Sequence, residues 1–230
     1  MFHTFFKNSE HCTIIHAFIH LFQVEKMNQI MKNKTYPNLA TGLFVKKQKT
    51  NTIHLMKIEN PNGKKTIVIQ DQQSENIVLE DFSPQDTHFE LEVILQGTNA
   101  ECHIIGRAQT QADNKKNWKI TQRFQGHQQT GSLDIRGVAE GNSFLHVDGA
   151  AVIEPTSTQA SAEINEKIML FEQGKGKLIP VLRVETDDVA SASHAASISP
   201  VESESLLYFA SRGMTPDTAK TMVKTGFLKV

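Results

Sequence analysis

The feature that most limits how this chain can fold is an uninterrupted series of strand-like segments. It runs from about Thr41 to Glu185. KKTIVIQ (64–70), NIVLE (76–80), HFELEVIL (88–95), ECHIIGRAQ (101–109) and WKITQRF (118–124) come first. SLDIRGV (132–138), SFLHVDGAAVIE (143–154), EINEKIMLF (163–171) and IPVLRVE (179–185) follow. Most alternate apolar and polar residues with period two, which puts the apolar set on one face of a strand. Phe89, Leu91, Val93 and Leu95 share one such face, and Leu133, Ile135 and Gly137 another.

The strand starts recur about every twelve residues, with Gly, Asn or Asp clusters between them. A doubly wound parallel sheet needs crossover helices, and the series has none. Two architectures remain: an antiparallel sandwich or barrel, and a β-solenoid in which each short strand stacks on the previous coil. Tight antiparallel hairpins favour Asn-Gly or Asp-Gly turns. Asn62-Gly63 predicts one hairpin at the start of the body, and Asp148-Gly149 lies inside a strand. The scarcity of such pairs tilts the reading toward the solenoid.

The last forty residues change character. Ser199-Pro200-Val201-Glu202 has the pattern of a capping box with Pro at the first helical position. It predicts a helix to about Arg212, stopped by Gly213 in the left-handed conformation. Thr215-Pro216-Asp217 repeats the device for a second helix that ends near Gly226, with Ala219, Met222 and Val223 as its apolar side. Leu206, Phe209 and Ala210 read as core or interface residues of the first helix. The expected division is a tail over 1–30, a β core over 31–190 and a helical segment over 191–230.

Composition excludes several classes. Of 230 residues, 39% are hydrophobic and 21% charged, and the formal net charge is -1. That balance fits a globular protein and argues against a nucleic-acid or anionic-membrane surface. The two cysteines, Cys12 and Cys102, form no CxxC pair, which favours a reducing cytoplasm over a disulfide framework. The apolar run from Thr13 to Val24 is too short to span a membrane. Cys12, His16 and His20 are spaced four apart and would line up on a helix as three zinc ligands, against the plainer reading of 1–30 as a tail. There is no GxSxG, P-loop or HExxH. FEQGKGK (171–177) reads as a solvated turn rather than a phosphate cradle, and Trp118 beside DNKK as a strand edge rather than a stacking platform.

The stretch LIPVLRVETDDVASASHAASISPVESESLLYFASRGM resembles the SufB/SufD family, scaffold proteins of the SUF iron–sulfur cluster assembly system. The family's pattern is P-x-L-x-I-x-x-D-D-V-x-C-S-H-G-A-T, a short acidic stretch, then F-Y-L-x-S-R-G. Pro180, Leu182, Val184, Asp187, Asp188, Val189, Ser193, His194 and Ala196 sit at matching offsets, as do Tyr208, Ser211, Arg212 and Gly213. Gly226-Phe227 resembles the closing aromatic.

The resemblance implies a right-handed parallel β-helix followed by a helical hairpin, and so decides for the solenoid. It implies a cytoplasmic, non-enzymatic scaffold subunit that pairs through its β-helix with a SufB-type subunit or a second copy. Its helical segment would dock a SufC-type ABC ATPase through Tyr208, Ser211, Arg212, Gly213 and Phe227. His194 would stand at the shared interface as an iron ligand, and the iron–sulfur cluster would be transient and shared rather than held by this chain alone. SufB-like members carry a cysteine where this chain has Asn165 and a Glu where it has Ala195, so the chain looks SufD-like. The region from 103 onward has no cysteine, and a cluster needs thiolates. Asp187 and Asp188 read as ligands or orienters of His194, or as residues that end the last strand and satisfy turn amides. Arg212 reads as a carboxylate binder or a cap for its own helix. The alternative is a structural β-solenoid that binds partners without cluster chemistry. A third idea, a pectate-lyase-like enzyme, would need clustered Asp, Lys and Arg on one solenoid face, and the sequence shows no such cluster.

Overall fold

The computed structural model describes residues 53–229. The tail over 1–30, with Cys12, His16 and His20, lies outside them. Twelve strands are followed by two helices: β1 (Ile53–Glu59), β2 (Gly63–Ile69), β3 (Ser74–Asp81), β4 (Thr87–Leu95), β5 (Glu101–Thr110), β6 (Lys115–Phe124), β7 (Thr130–Ala139), β8 (Phe144–Ile153), β9 (Ala160–Leu170), β10 (Lys175–Leu178), β11 (Val181–Val184), β12 (Val189–Pro200), α1 (Ser203–Ser211) and α2 (Pro216–Lys229).

The strands form a parallel solenoid. One sheet runs β1-β3-β5-β7-β9-β12 and the facing sheet β10-β8-β6-β4-β2, with β11 also on β8. All of these pairings are parallel and close to in register. A coil takes 27 residues from Ser74 to Glu101, 29 from Glu101 to Thr130 and 31 from Thr130 to Ser161. β10 and β11 are two halves of one coil wall, interrupted by Ile179-Pro180.

The corners explain why few Asn-Gly pairs are needed. Gln72, Asn99, Gln128 and Gln159 each have positive φ, between 52° and 58°. Their amides donate to the next coil: Gln72 to Thr98 O, Asn99 to His127 O, Gln128 to Thr158 O and Gln159 to Asp188 O, all at 2.7–2.9 Å. One left-handed residue per corner turns the chain, and the stacked hydrogen bond offsets its cost. The hairpin expected at Asn62-Gly63 does not form, because β1 pairs with β3 and β2 with β4, both in parallel. Those two residues make a coil corner instead. Gly63 has φ +83°, and Asn62 Oδ1 accepts the amides of Gly63 (3.0 Å) and His88 (3.3 Å).

The period-two faces fill the space between the sheets. Phe89, Leu91, Val93, Leu95, Trp118, Ile120, Phe124, Leu133 and Ile135 are buried. Trp118 is thus a core residue and not a strand edge. The core also holds an ion pair. Lys116, on the inner face of β6, meets the Asp81 carboxylate, and both side chains are fully buried. Lys116 Nζ also donates to Asp81 O (3.1 Å) and Ser83 Oγ (3.3 Å), while Asp81 accepts from Ser83 Oγ and Thr87 Oγ1, each at 2.7 Å. Burial lowers the Lys116 pKa, and the Asp81 hydrogen bond opposes that.

The chain leaves the solenoid later than the sequence pattern implies. Residues 191–200, placed above in the helical segment, belong to β12. Ser199 and Pro200 pair with Met169 and Leu170 of β9, and Val201 N–H donates to Leu170 O at 2.9 Å. The capping box therefore does not form. α1 starts after Glu202, which makes no side-chain cap. Its end is as expected: Gly213, at φ +80°, donates to Ala210 O (2.9 Å), and Met214 to Phe209 O (3.2 Å).

α2 opens with Thr215 Oγ1 accepting from Thr218 N–H (3.3 Å) and passes through Gly226 to Lys229. The solenoid holds its C-terminal end. Arg107 Nε donates to Leu228 O (2.9 Å) and Arg136 Nη1 to Phe227 O (3.2 Å), two cations on the negative end of the helix. Lys224–Glu140 and Lys220–Glu172, both 2.6 Å, fix its side.

Removing one member of the buried pair leaves the other charge without its counter-ion. Asp81→Ala is expected to cost about 3–5 kcal/mol, read from the urea midpoint. The double change Asp81→Leu with Lys116→Met should recover most of it.

Candidate functional site at the open end of the solenoid

β12 is the last strand of its sheet. It pairs with β9 on one edge, and the sheet order ends there. Residues 190–200 are all exposed. In a parallel ladder, paired residues point to the same side of the sheet. His194 pairs with Ile164 and Ala196 with Glu166, both inner-face residues of β9. His194 therefore stands on the inward side of the last strand of its sheet. It is exposed, in mid-strand, with Ser191, Ala192, Ser193, Ala195 and Ala196 around it. The solenoid's own side chains do not cover it, and the small neighbours leave room for another backbone.

The other signature residues separate into different places. Asp188 closes a corner: its carbonyl accepts the Gln159 amide (2.7 Å), its carboxylate meets Gln159 Nε2, and its own amide donates to Thr186 Oγ1 (3.3 Å). This is the turn-satisfying role. Asp187 is exposed beside it. Asn165, at the family's cysteine position, lies on the outer face of β9, in register with Asp134 and Ala195. It is thus on the opposite face from His194, and its Oδ1 is buried without a partner. On α1, Tyr208 is 56% exposed and Leu207 66%. The Arg212 guanidinium lies 5.4 Å from the Tyr208 ring centre, and Ser211 Oγ donates to Tyr208 O (2.7 Å). Phe227 is not part of that group. It faces the solenoid, with Arg136 6.0 Å from its ring centre.

A cluster needs donors, and this end supplies few. Cys102 is buried on the inner face of β5, and burial pushes its thiol up to about 12. It offers no thiolate. Among the described residues, no three His, Cys, Asp or Glu side chains are grouped to hold a metal ion. His194 is thus a single exposed imidazole, without a second donor grouped around it among the described residues.

Two features escaped the sequence reading. Arg107, Asp134 and Arg136 do cluster on one outer face of the solenoid, with Arg107 Nη2 2.8 Å from Asp134 Oδ2. The two arginines hold the C-terminal end of α2. The second is Glu166. It is fully buried, and neither carboxylate oxygen makes a well-formed hydrogen bond. It lies over Gly149 of β8, where a Cβ would collide with Oε1 and Leu133 Cδ2. Burial first, then the Asp148 charge, raises it to about 8, with only the Gly149 amide opposing. The signal was present in EINEKIML: Ile164 and Ile168 share the inner face, and a glutamate breaks the row between them.

The described residues form a parallel β-solenoid with an exposed edge strand, followed by a helical hairpin. Comparison with known proteins gives the family. Residues 62–227 match the SUF system FeS cluster assembly SufBD core domain, and the chain belongs to that family. It is 36% identical over 93 residues, 40% of this chain, to a Bacillus subtilis protein named iron-sulfur cluster assembly protein SufD. It is 30% identical over 80 residues, 34% of this chain, to a Mycobacterium leprae SufBD family protein. These matches cover 21% and 20% of the two relatives. No helix among the described residues is long and apolar enough to cross a membrane.

The burial of Glu166 has a pH signature. In the folded chain it holds its proton to about pH 8, whereas in the unfolded chain it loses it near 4.5. Between those values the folded state binds the extra proton. The stability contributed by this group is full below pH 4.5 and is lost as pH rises through 8. Glu166→Gln should therefore show a smaller drop in urea midpoint between pH 5.5 and 8.5 than the wild-type chain; an equal drop would place the titration elsewhere.

Proposed function

We propose that the chain is a non-catalytic scaffold subunit of iron–sulfur cluster assembly. It pairs through β12 with a SufB-type subunit and docks a SufC-type ABC ATPase through the exposed face of α1. His194 supplies one donor, at the subunit interface, to a cluster that is passed on as cargo. A setting in the cytoplasm fits the unpaired, buried Cys102.

The exposed run 190–200 carries this reading. An edge strand with unpaired backbone groups invites a further chain. Here the edge bears no lysine, arginine, aspartate or glutamate along its length to repel one. Imidazole is a common iron ligand, and it stands where a second subunit would arrive. Among the described residues the one cysteine, Cys102, is sealed in the core, so the thiolates are assigned to that subunit.

The ATPase-docking part rests on α1, which has no buried residue and exposes Leu207 and Tyr208 together. Ser211 and Gly213 shape the helix end, Arg212 stacks on Tyr208, and Phe227 serves the solenoid contact. The docking surface is thus narrower than the signature implied: Leu207, Tyr208 and Arg212.

Anaerobic co-expression with SufB-type and SufC-type partners tests the reading. The wild-type chain should co-purify with both and yield iron and sulfide on reconstitution. His194→Ala should leave the complex intact and lower bound iron and sulfide several-fold. Ala196→Arg, on the exposed strand, should break pairing with the SufB-type subunit without changing the folding stability of this chain by more than about 0.5 kcal/mol. Tyr208→Ala should release the ATPase alone. Unchanged cluster yield in His194→Ala would remove the assignment of that residue.

A further inference from the structure

A contiguous apolar patch on an outer surface is uncommon and marks a contact site. The outer face of the β1-to-β12 sheet carries one. Val78 of β3 and Ile105 of β5 are in register and both point outward, and Phe82 follows β3. Ile105 is 40% exposed and Phe82 49%. The helix beside them covers them only in part, because α2 packs against β7, the next strand along. A trough of about 940 Å3 is left between α2 and the sheet.

The trough has two regular walls. On α2 it is lined by Thr221, Lys224, Thr225 and Leu228, a stripe at i, i+3, i+4 and i+7. The other wall is formed by outward positions of β3, β5 and β7. The helical stripe spans about 10 Å, at about 1.5 Å per residue. That is room for about three residues of extended chain. The helical wall is fixed, since Arg107 and Arg136 hold the last carbonyls of α2 and Lys220 holds Glu172. A ligand therefore meets a preformed site, which lowers the cost of binding.

Its charge is distinctive. Arg107, Arg136, Lys224 and Lys229 line it, against Glu80 and Asp134. Both acids are already paired, Glu80 with Lys57 and Asp134 with Arg107, each at 2.8 Å. Lys224 holds Glu140 (2.6 Å), whereas Lys229, at the end of α2, makes no ion pair with any described residue. The trough is thus positive in a body that is not. Seven lysines and two glutamates precede Ile53, which leaves 17 Lys and Arg against 23 Asp and Glu from there on.

We propose that this trough docks an acidic segment of a partner protein that also carries an apolar anchor. The anchor, a Leu, Ile or Phe, rests on Val78, Ile105 and Leu228, and a carboxylate meets Lys229. An exposed ion pair contributes little by itself, so the apolar floor supplies most of the affinity and the charge selects the partner. The chain's own segment before Ile53 has the wrong sign for this site, with its seven lysines and two glutamates. The inference uses neither His194 nor the exposed face of α1.

The test selects a random peptide library displayed on phage against the immobilised full chain, with counter-selection on the Ile105→Asp chain. The surviving sequences are made as fluorescein-labelled peptides and measured by anisotropy. They should combine Asp or Glu with a Leu, Ile or Phe. Ile105→Asp and Phe82→Asp should each weaken them about tenfold or more, and Lys229→Glu several-fold. High salt should weaken them as well. Phe82 lies outside the strands, so Phe82→Asp gives the readout even where Ile105→Asp disturbs β5. Tyr208→Ala should bind the peptides as the wild type does, so a failure here leaves the ATPase reading standing. The proposal is overturned if no peptide survives counter-selection, if the survivors are basic or uncharged, or if Lys229→Glu binds them unchanged. An equal loss in Tyr208→Ala moves the contact to α1 and overturns it too. If a peptide of residues 1–30 displaces the survivors and itself depends on Ile105, the occupant is the chain's own leading segment. If the wild-type chain dimerises and Ile105→Asp is monomeric, the occupant is a second copy. Either result removes the separate partner and overturns the proposal.

Discussion

Every strand in the interior of this solenoid is hydrogen-bonded to the coil before it and the coil after it, and that ladder stops at β12. A sheet whose strands add one at a time has no closure of its own. Its last strand keeps one satisfied edge and one open one. In β12 the open edge coincides with exposed side chains on both faces, so both the backbone edge and the inward side chains reach solvent. The functional reading follows from that termination. The side chain on which most of it rests, His194, would be a buried core residue if another coil were stacked above it, because its register partner Ile164 is 1% exposed.

The same stacking explains why the core tolerates polar residues that a sandwich would reject. Lys116, Asp81, Gln122 and Gln129 are all buried. Most of them hold backbone groups at the corners. Gln129 Nε2 donates to Leu95 O (2.7 Å) and Gly97 O (2.8 Å), and Lys116 reaches Asp81 and Ser83 past the end of β3. Where a coil bends, carbonyls leave the ladder and need side-chain partners. Glu166 does not fit that scheme. It lies in mid-strand, away from a corner, and satisfies no backbone carbonyl.

The alternation in the sequence was enough to place the core, because one wrong register would turn every apolar side chain outward. Phe89, Leu91, Val93 and Leu95 are where the pattern put them, as are Leu133 and Ile135. Local turn chemistry was less reliable. Ser199-Pro200-Val201-Glu202 has all the parts of a helix cap, yet β9 offers a ladder partner as far as Leu170, and the sheet wins. Asn62-Gly63 turns the chain but does not make it antiparallel, since pairing is set one coil away and not across the turn. The site was legible only where its residues are contiguous. His194 could be found in its signature. The grouping of Arg107, Asp134 and Arg136 could not, because their neighbourhood depends on the coil length, which varies from 27 to 31 residues.

The two ends of the functional region are mechanically unequal. α2 is held at its C-terminus by Arg107 and Arg136 and along its side by Lys220 and Lys224. A helix end tied by two guanidinium groups that are themselves anchored to Asp134 cannot slide without breaking charge-assisted hydrogen bonds. α1 has no comparable anchor. It follows β12 after two residues and buries no side chain. A partner that grips Leu207 and Tyr208 therefore acts on a short helix joined directly to the strand that carries His194, while α2 serves as the fixed post. A force applied to α1 has a direct route to the edge strand through Val201 and Glu202. Under the proposed function, the ATPase handle at Tyr208 and the histidine His194 are fourteen positions apart on one continuous segment, which gives such a force a short path.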